Sequence, residues 1–85
     1  MYRLLFTKQA QRSLMKLQKD KSAAIMQRLE QIAKDPYAQH NNVTKLQNRS
    51  GCRLRVGDWR VIYEIRNEEL VILVLKIAPR GEVYR

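Results

Sequence analysis

The stretch GCRLRVGDWRVIYEI, residues 51–65, decides the fold. Two runs of alternating apolar and polar residues flank Gly57-Asp58, which suits a two-residue hairpin loop with glycine at the first central position, a type II′ turn. That loop makes Val56 the partner of Trp59. Counting outward, Arg55 opposes Arg60, Leu54 opposes Val61 and Arg53 opposes Ile62. Opposed residues share a side, and side chains alternate along each strand. Leu54, Val56, Trp59, Val61 and Tyr63 therefore form a core face. Arg53, Arg55 and Arg60 fall on the other face, with Glu64 further along. Like charges opposed on a sheet destabilise it by a few tenths to about 1 kcal/mol. Arginines on an uncovered sheet face can act simply as solubilising charge that blunts aggregation. Three of them on one hairpin, in a chain this basic, point instead to phosphate, whose oxygens match the planar guanidinium fork.

The remaining chain supplies what this hairpin needs to fold. YRLLF (2–6) reads as a first strand, and Thr7 as the N-cap of a helix carrying Ala10, Leu14 and Leu17 on one face. Asp20 is read as the N-cap of a second helix, whose stripe is Ile25, Leu29 and Ile32 flanked by Ala24 and Ala33. Pro36 ends that helix by disfavouring helical geometry at Asp35. Residues 36–51 are polar and read as a long loop. Strands follow at 52–56, 59–66 and 70–78. LVILVLKIA is apolar almost throughout, the mark of a strand covered on both faces or lying centrally. The expected class is α+β, two-layer. A helical hairpin packs on one face of a mostly antiparallel four-stranded sheet in the order β-α-α-β-β-β, and the other face is left open. Met15 and Met26 are expected to fill the core.

Composition bounds the partners. A chain of 85 residues is expected to make one small domain, since it buries only about 60–65% of the surface its unfolded form exposes. At 45% hydrophobic residues it is no candidate for disorder. Lysine and arginine outnumber the acids 17 to 8, for a net charge of +9, which attracts polyanions. The charges are spread through all elements, against a membrane-surface helix. No run reads as a signal peptide or approaches the ~20 residues of a membrane span. Lone Cys52 reads as a small core hydrophobe in a reducing cytosol. A cytoplasmic protein is expected, with no cofactor: glycine-rich phosphate loop, Cys/His cluster and clustered metal-binding acids are all missing from the sequence. His40, the single histidine, reads as a solvated loop residue. Beyond the last strand, APRGEVYR adds Arg80, Tyr84 and Arg85. Antiparallel order brings Arg80 toward Trp59 and Arg60, and a tyrosine beside cations can stack a base or fold back as a plug.

The segments TKLQNRSGCRLRVGDWRVIYEI and LVILVLKIAPRGEVYR resemble the RelE branch of the RelE/ParE toxin superfamily, and the resemblance extends over nearly the whole chain. It implies a bacterial toxin that enters the ribosomal A site and cuts mRNA without metal. The ribose 2′-OH attacks the adjacent phosphate, leaving a cyclic phosphate and a free 5′-OH. A cognate, acidic antitoxin wraps such toxins, and operator DNA is reached only through that complex. The catalytic positions carry over to Arg53, Arg55, Arg60, Arg80 and Tyr84. Lys45, Arg49, Lys76 and Arg85 complete the expected RNA-binding set. Two positions depart from the family pattern. Arginine replaces the lysine common on the first hairpin strand, and Pro79 replaces a histidine. Arginine cannot serve as a base, so the general base is unassigned, with Glu64 and Glu82 as candidates. Other readings of the same fold are a ParE-like inhibitor of DNA gyrase and a catalytically inert RNA-binding relative.

Overall fold

A computed structural model describes residues 1–81. The elements are β1 (Arg3–Phe6), α1 (Lys8–Lys16), α2 (Lys19–Lys34), β2 (Val43–Lys45), β3 (Cys52–Val56), β4 (Trp59–Arg66) and β5 (Val71–Pro79). Glu82, Tyr84 and Arg85 lie outside the described residues.

Thr7 turns the chain from β1 into α1. Its hydroxyl accepts from the Ala10 amide at 3.2 Å and donates to the Leu75 carbonyl at 2.7 Å, so one side chain caps the helix and ties it to the sheet. α1 stops at Leu17, which is extended and packs on the core. α2 restarts at once with Gln18 as its N-cap, two residues before the expected Asp20. The break is this short because Leu17 must stay on the core. Asp20 falls in the first turn, where its charge meets the positive end of the helix dipole.

The sheet has five strands, in the order β1-β5-β4-β3-β2. Only β1 is parallel, lying against β5 with Leu4 beside Ile72 and Phe6 beside Val74. The expected class holds, with one strand more than the four read from sequence. The extra strand, β2, lies in the segment read as loop, and pairs Thr44 with Arg53. Its three residues, Val43, Thr44 and Lys45, are too few to stand out from the polar stretch around them, and their pairing to β3 makes them a strand.

The helices cover one face of the sheet. Ala10, Ile25, Leu29, Ile32 and Ala33 meet Leu54, Val61, Tyr63, Ile72, Val74 and Ile77, all buried. Burial first, then the Cys52 thiol beside it, pushes the Tyr63 phenol well above the ordinary tyrosine value, so the ring stays neutral in the core. Met26 packs on this core, but Met15 is 77% exposed, contrary to expectation, on the solvent side of α1.

The opposite face is not bare. The β4–β5 register shifts at Ile62/Tyr63, leaving Leu75 as an extra residue of β5. Ile62 and Ala78 are buried in a second cluster with Leu75 and Leu46. That cover corrects the expectation of an open face, and the bulge accounts for the apolar run of β5: each side of the sheet has its own hydrophobic layer.

Gly51 closes the β2–β3 loop. Its φ is +116°, and a Cβ there would stand 3.0 Å from the Tyr63 carbonyl oxygen and 3.4 Å from Leu46. Gly51→Ala is expected to destabilise the fold by about 1–3 kcal/mol through backbone strain. Thermal unfolding checks this, with a fall of roughly 4–8 °C per kcal/mol; an unchanged Tm contradicts it.

Candidate functional site

The hairpin register is as the alternation requires: Val56 with Trp59, Arg55 with Arg60, Leu54 with Val61 and Arg53 with Ile62. Gly57 has φ 58°, while Asp58 stays out of the left-handed region, as a type II′ turn demands. The arginines consequently share the face away from the helices. Arg80 joins them because β5 runs antiparallel to β4. Pro79 pairs with Trp59, and the Arg80 amide donates to the Asp58 carbonyl at 2.8 Å.

These side chains line one groove of about 570 Å³: Arg53, Arg55, Arg60 and Arg80, with Asn42, Thr44 and Gly81 at its rim. Arg60 and Arg55 are held by neighbouring groups. Arg60 Nη1 donates to the carbonyls of Gly57 at 3.0 Å and Trp59 at 3.1 Å, so the turn itself orients the guanidinium. Arg55 Nη2 donates to Asn42 Oδ1 at 3.1 Å, and its amide donates to the Asn42 carbonyl at 2.9 Å. Asn42 takes φ 64°, a conformation asparagine tolerates better than most residues. Arg28 of α2 steadies the approach to Asn42 by donating to the Asn41 carbonyl. Sequence reasoning missed Asn42 and Thr44. The available signal was the β-branched pair Val43-Thr44 inside an otherwise polar stretch.

The electrostatics are those of a cation cluster. Burial first, then the guanidiniums of Arg55, Arg80 and Arg53, lowers the Arg60 pKa, and Asp58 only partly offsets this. Arginine does not lose its proton under such pressure. The groove therefore carries concentrated positive charge that an anion can relieve.

The remaining sequence candidates fall at different distances from this centre. Lys76 opposes Ile62 on the arginine face, in the cross-strand row that contains Arg53. Lys45 and Arg49 line a second hollow of about 680 Å³, which shares Thr44 and Arg53 with the first. Glu64 stands outside the groove and pairs with Arg66 at 3.2 Å. His40 contacts the Asp35 carbonyl at 2.7 Å, in a hollow with Arg28, Gln39 and Asn41 that is separate from the lining of the arginine groove. Tyr84, Arg85 and Glu82 lie outside the described residues. Among the described residues no three His, Cys, Asp or Glu side chains converge, and no helix is long and apolar enough to cross a membrane.

The two-layer fold has structural counterparts. RelE in the archaeal RelE–RelB complex from Pyrococcus horikoshii OT3 superimposes with a TM-score of 0.81 at 30% identity, over 95% of this chain and 97% of that one. The intact Escherichia coli RelBE toxin–antitoxin complex matches with a TM-score of 0.77 at 21% identity, over 96% and 100%. A metal-bound toxin from Helicobacter pylori shares the fold with a TM-score of 0.79 at 13% identity, over 98% and 99%. No curated protein matches significantly in sequence. The family model for the ParE toxin of type II toxin–antitoxin systems matches residues 4–84. The chain belongs to that family, within the RelE/ParE superfamily, and is the toxin of a type II toxin–antitoxin system.

Proposed function

We propose that this toxin is a metal-independent endoribonuclease that cuts mRNA on the ribosome. The observation that carries the reading is the convergence of Arg53, Arg55, Arg60 and Arg80 on one groove. When a ribose 2′-oxygen attacks the adjacent phosphate, negative charge grows on the non-bridging oxygens. Guanidiniums already oriented there stabilise the transition state more than the ground state. In this reading Arg60 and Arg55, held by the turn and by Asn42, receive the developing charge. Arg53 binds the phosphate from the neighbouring row. Arg80 donates to the departing 5′-oxygen, and Tyr84 stacks on or orients a base. Lys45, Arg49, Lys76 and Arg85 contact the flanking backbone. Among the described residues the groove contains no carboxylate or imidazole, so the 2′-OH proton leaves to water, to the ribosome or to a group beyond residue 81. Ribosomes and mRNA as partners place the activity in the cytoplasm.

The relatives from P. horikoshii and E. coli are held in complexes with RelB antitoxins. A cognate acidic antitoxin covering the basic groove follows for this chain by charge complementarity, with operator DNA bound only through the complex. A second reading, compatible with membership of the ParE toxin family, is inhibition of DNA gyrase. Mapping transcript ends after a brief induction decides between them. New 5′-OH ends within translated codons are expected. Growth arrest with intact mRNA and damaged DNA supports the gyrase reading, and intact mRNA despite RNA binding an inert relative.

A further inference from the structure

The second hollow differs in chemistry from the arginine groove it adjoins. Its lining includes Gln47 and Asn48, both exposed and both carrying side-chain amides, together with Lys45 and Arg49. Leu46 forms an apolar floor, anchored in the cluster with Ile62, Ala78 and Leu75. The loop bearing the amides is closed by the Leu46 amide donating to the Gly51 carbonyl at 3.0 Å. Gly51 in turn sits against the Tyr63 backbone. Gln47 and Asn48 thus sit, exposed, on a loop fastened at both ends to the sheet. An amide presents a donor and an acceptor together, which suits a base edge, whereas a phosphate needs donors only. Thr44 and Arg53 line both hollows, so a strand whose phosphate lies among the arginines has its neighbouring nucleotide beside the amides.

We infer that the β2–β3 loop seats the nucleobase next to the scissile phosphate and sets base preference there, with Gln47 and Asn48 reading its edge over Leu46. This rests on the endoribonuclease reading for its cleavage consequence, but binding tests it separately. In NMR titrations of the intact toxin, a short 2′-O-methyl oligoribonucleotide is expected to shift the side-chain amide signals of Gln47 and Asn48. Inorganic phosphate is expected to shift arginine Nε–H signals alone. Amide signals that ignore the oligonucleotide overturn the inference, as do amide signals that move equally with phosphate. In cleavage mapping on translating ribosomes, Gln47→Ala and Asn48→Ala are each expected to relax base preference beside the cut by about three- to tenfold, the worth of one lost hydrogen bond. The loss should fall on sites that carry the preferred base, with cutting at the other sites changed by less than about twofold, because phosphate contacts position and base contacts specify. An unchanged preference overturns the inference. A wild-type toxin that cuts nothing overturns the endoribonuclease reading instead, and the titration then decides the base site alone.

Discussion

Arg60→Ala is expected to slow mRNA cleavage on translating ribosomes by about 10²–10³-fold, the loss seen when one preorganised donor is taken from an oxyanion site. Arg60 is the position to test because it is held by two hydrogen bonds and stands among the other arginines of the cluster. Its guanidinium donates to two carbonyls of the Gly57-Asp58 turn, and the three other arginines lower its pKa along with burial. Arg60→Lys keeps the charge but loses the planar fork and should recover only part of the rate. Stability should move differently. A base whose folded pKa lies below its ordinary value carries its electrostatic penalty at every pH at which both states are charged, which for arginine is the whole accessible range. Removing Arg60 lifts that penalty while giving up two surface hydrogen bonds, so Tm should stay within about 4 °C of wild type. Single-turnover primer extension and thermal denaturation, run on one preparation, separate the two quantities. A variant that cuts at the wild-type rate removes Arg60 from the mechanism, and one that fails to fold makes its role structural.

Affinity for single-stranded RNA is expected to fall at least about fiftyfold between 50 and 200 mM monovalent salt. The figure follows from roughly four phosphate contacts, each contributing about 0.7 to the logarithmic slope on a single strand. The four arginines of the groove supply these contacts, and each of Lys45, Arg49 and Lys76 that also meets a flanking phosphate steepens the fall by a further factor of about 2.6. Replacing any one with alanine should reduce the slope by about 0.7, whereas Asn48→Ala should leave it alone. The same affinity should be flat from about pH 6 to about pH 9, because arginine holds its proton throughout. Fluorescence anisotropy with a non-cleavable 2′-O-methyl strand reads all three quantities. A slope near zero, or one untouched by loss of an arginine, counts against phosphate as the occupant of the groove.

The same groove shows how far local sequence reaches. Alternation through 51–65 and a Gly-Asp turn dictated that Arg53, Arg55 and Arg60 share a face, and the register agrees pair by pair. Everything needed for that derivation lies within one hairpin, where side-chain period and a two-residue loop together set the pairing, although a three-residue loop with a bulge would have broken it. The Thr7 cap and the stripe of α2 were legible for the same reason, each being a pattern that repeats within a few turns. The start of α2 was not, because the position of Leu17 on the core, and not the capping strength of Asp20, sets where the helix resumes.

Determined by sequence alone, then, were the α+β class, the hairpin register and the side on which its guanidiniums stand. Tertiary structure decided the rest: β1 parallel to β5 at the sheet edge, β2 recruited from a polar segment, the bulge at Leu75 with its second apolar layer, and Asn42 holding Arg55. These depend on pairing between segments far apart in the chain. Such contacts are chosen by competition among packing arrangements, and no short window of sequence contains both partners.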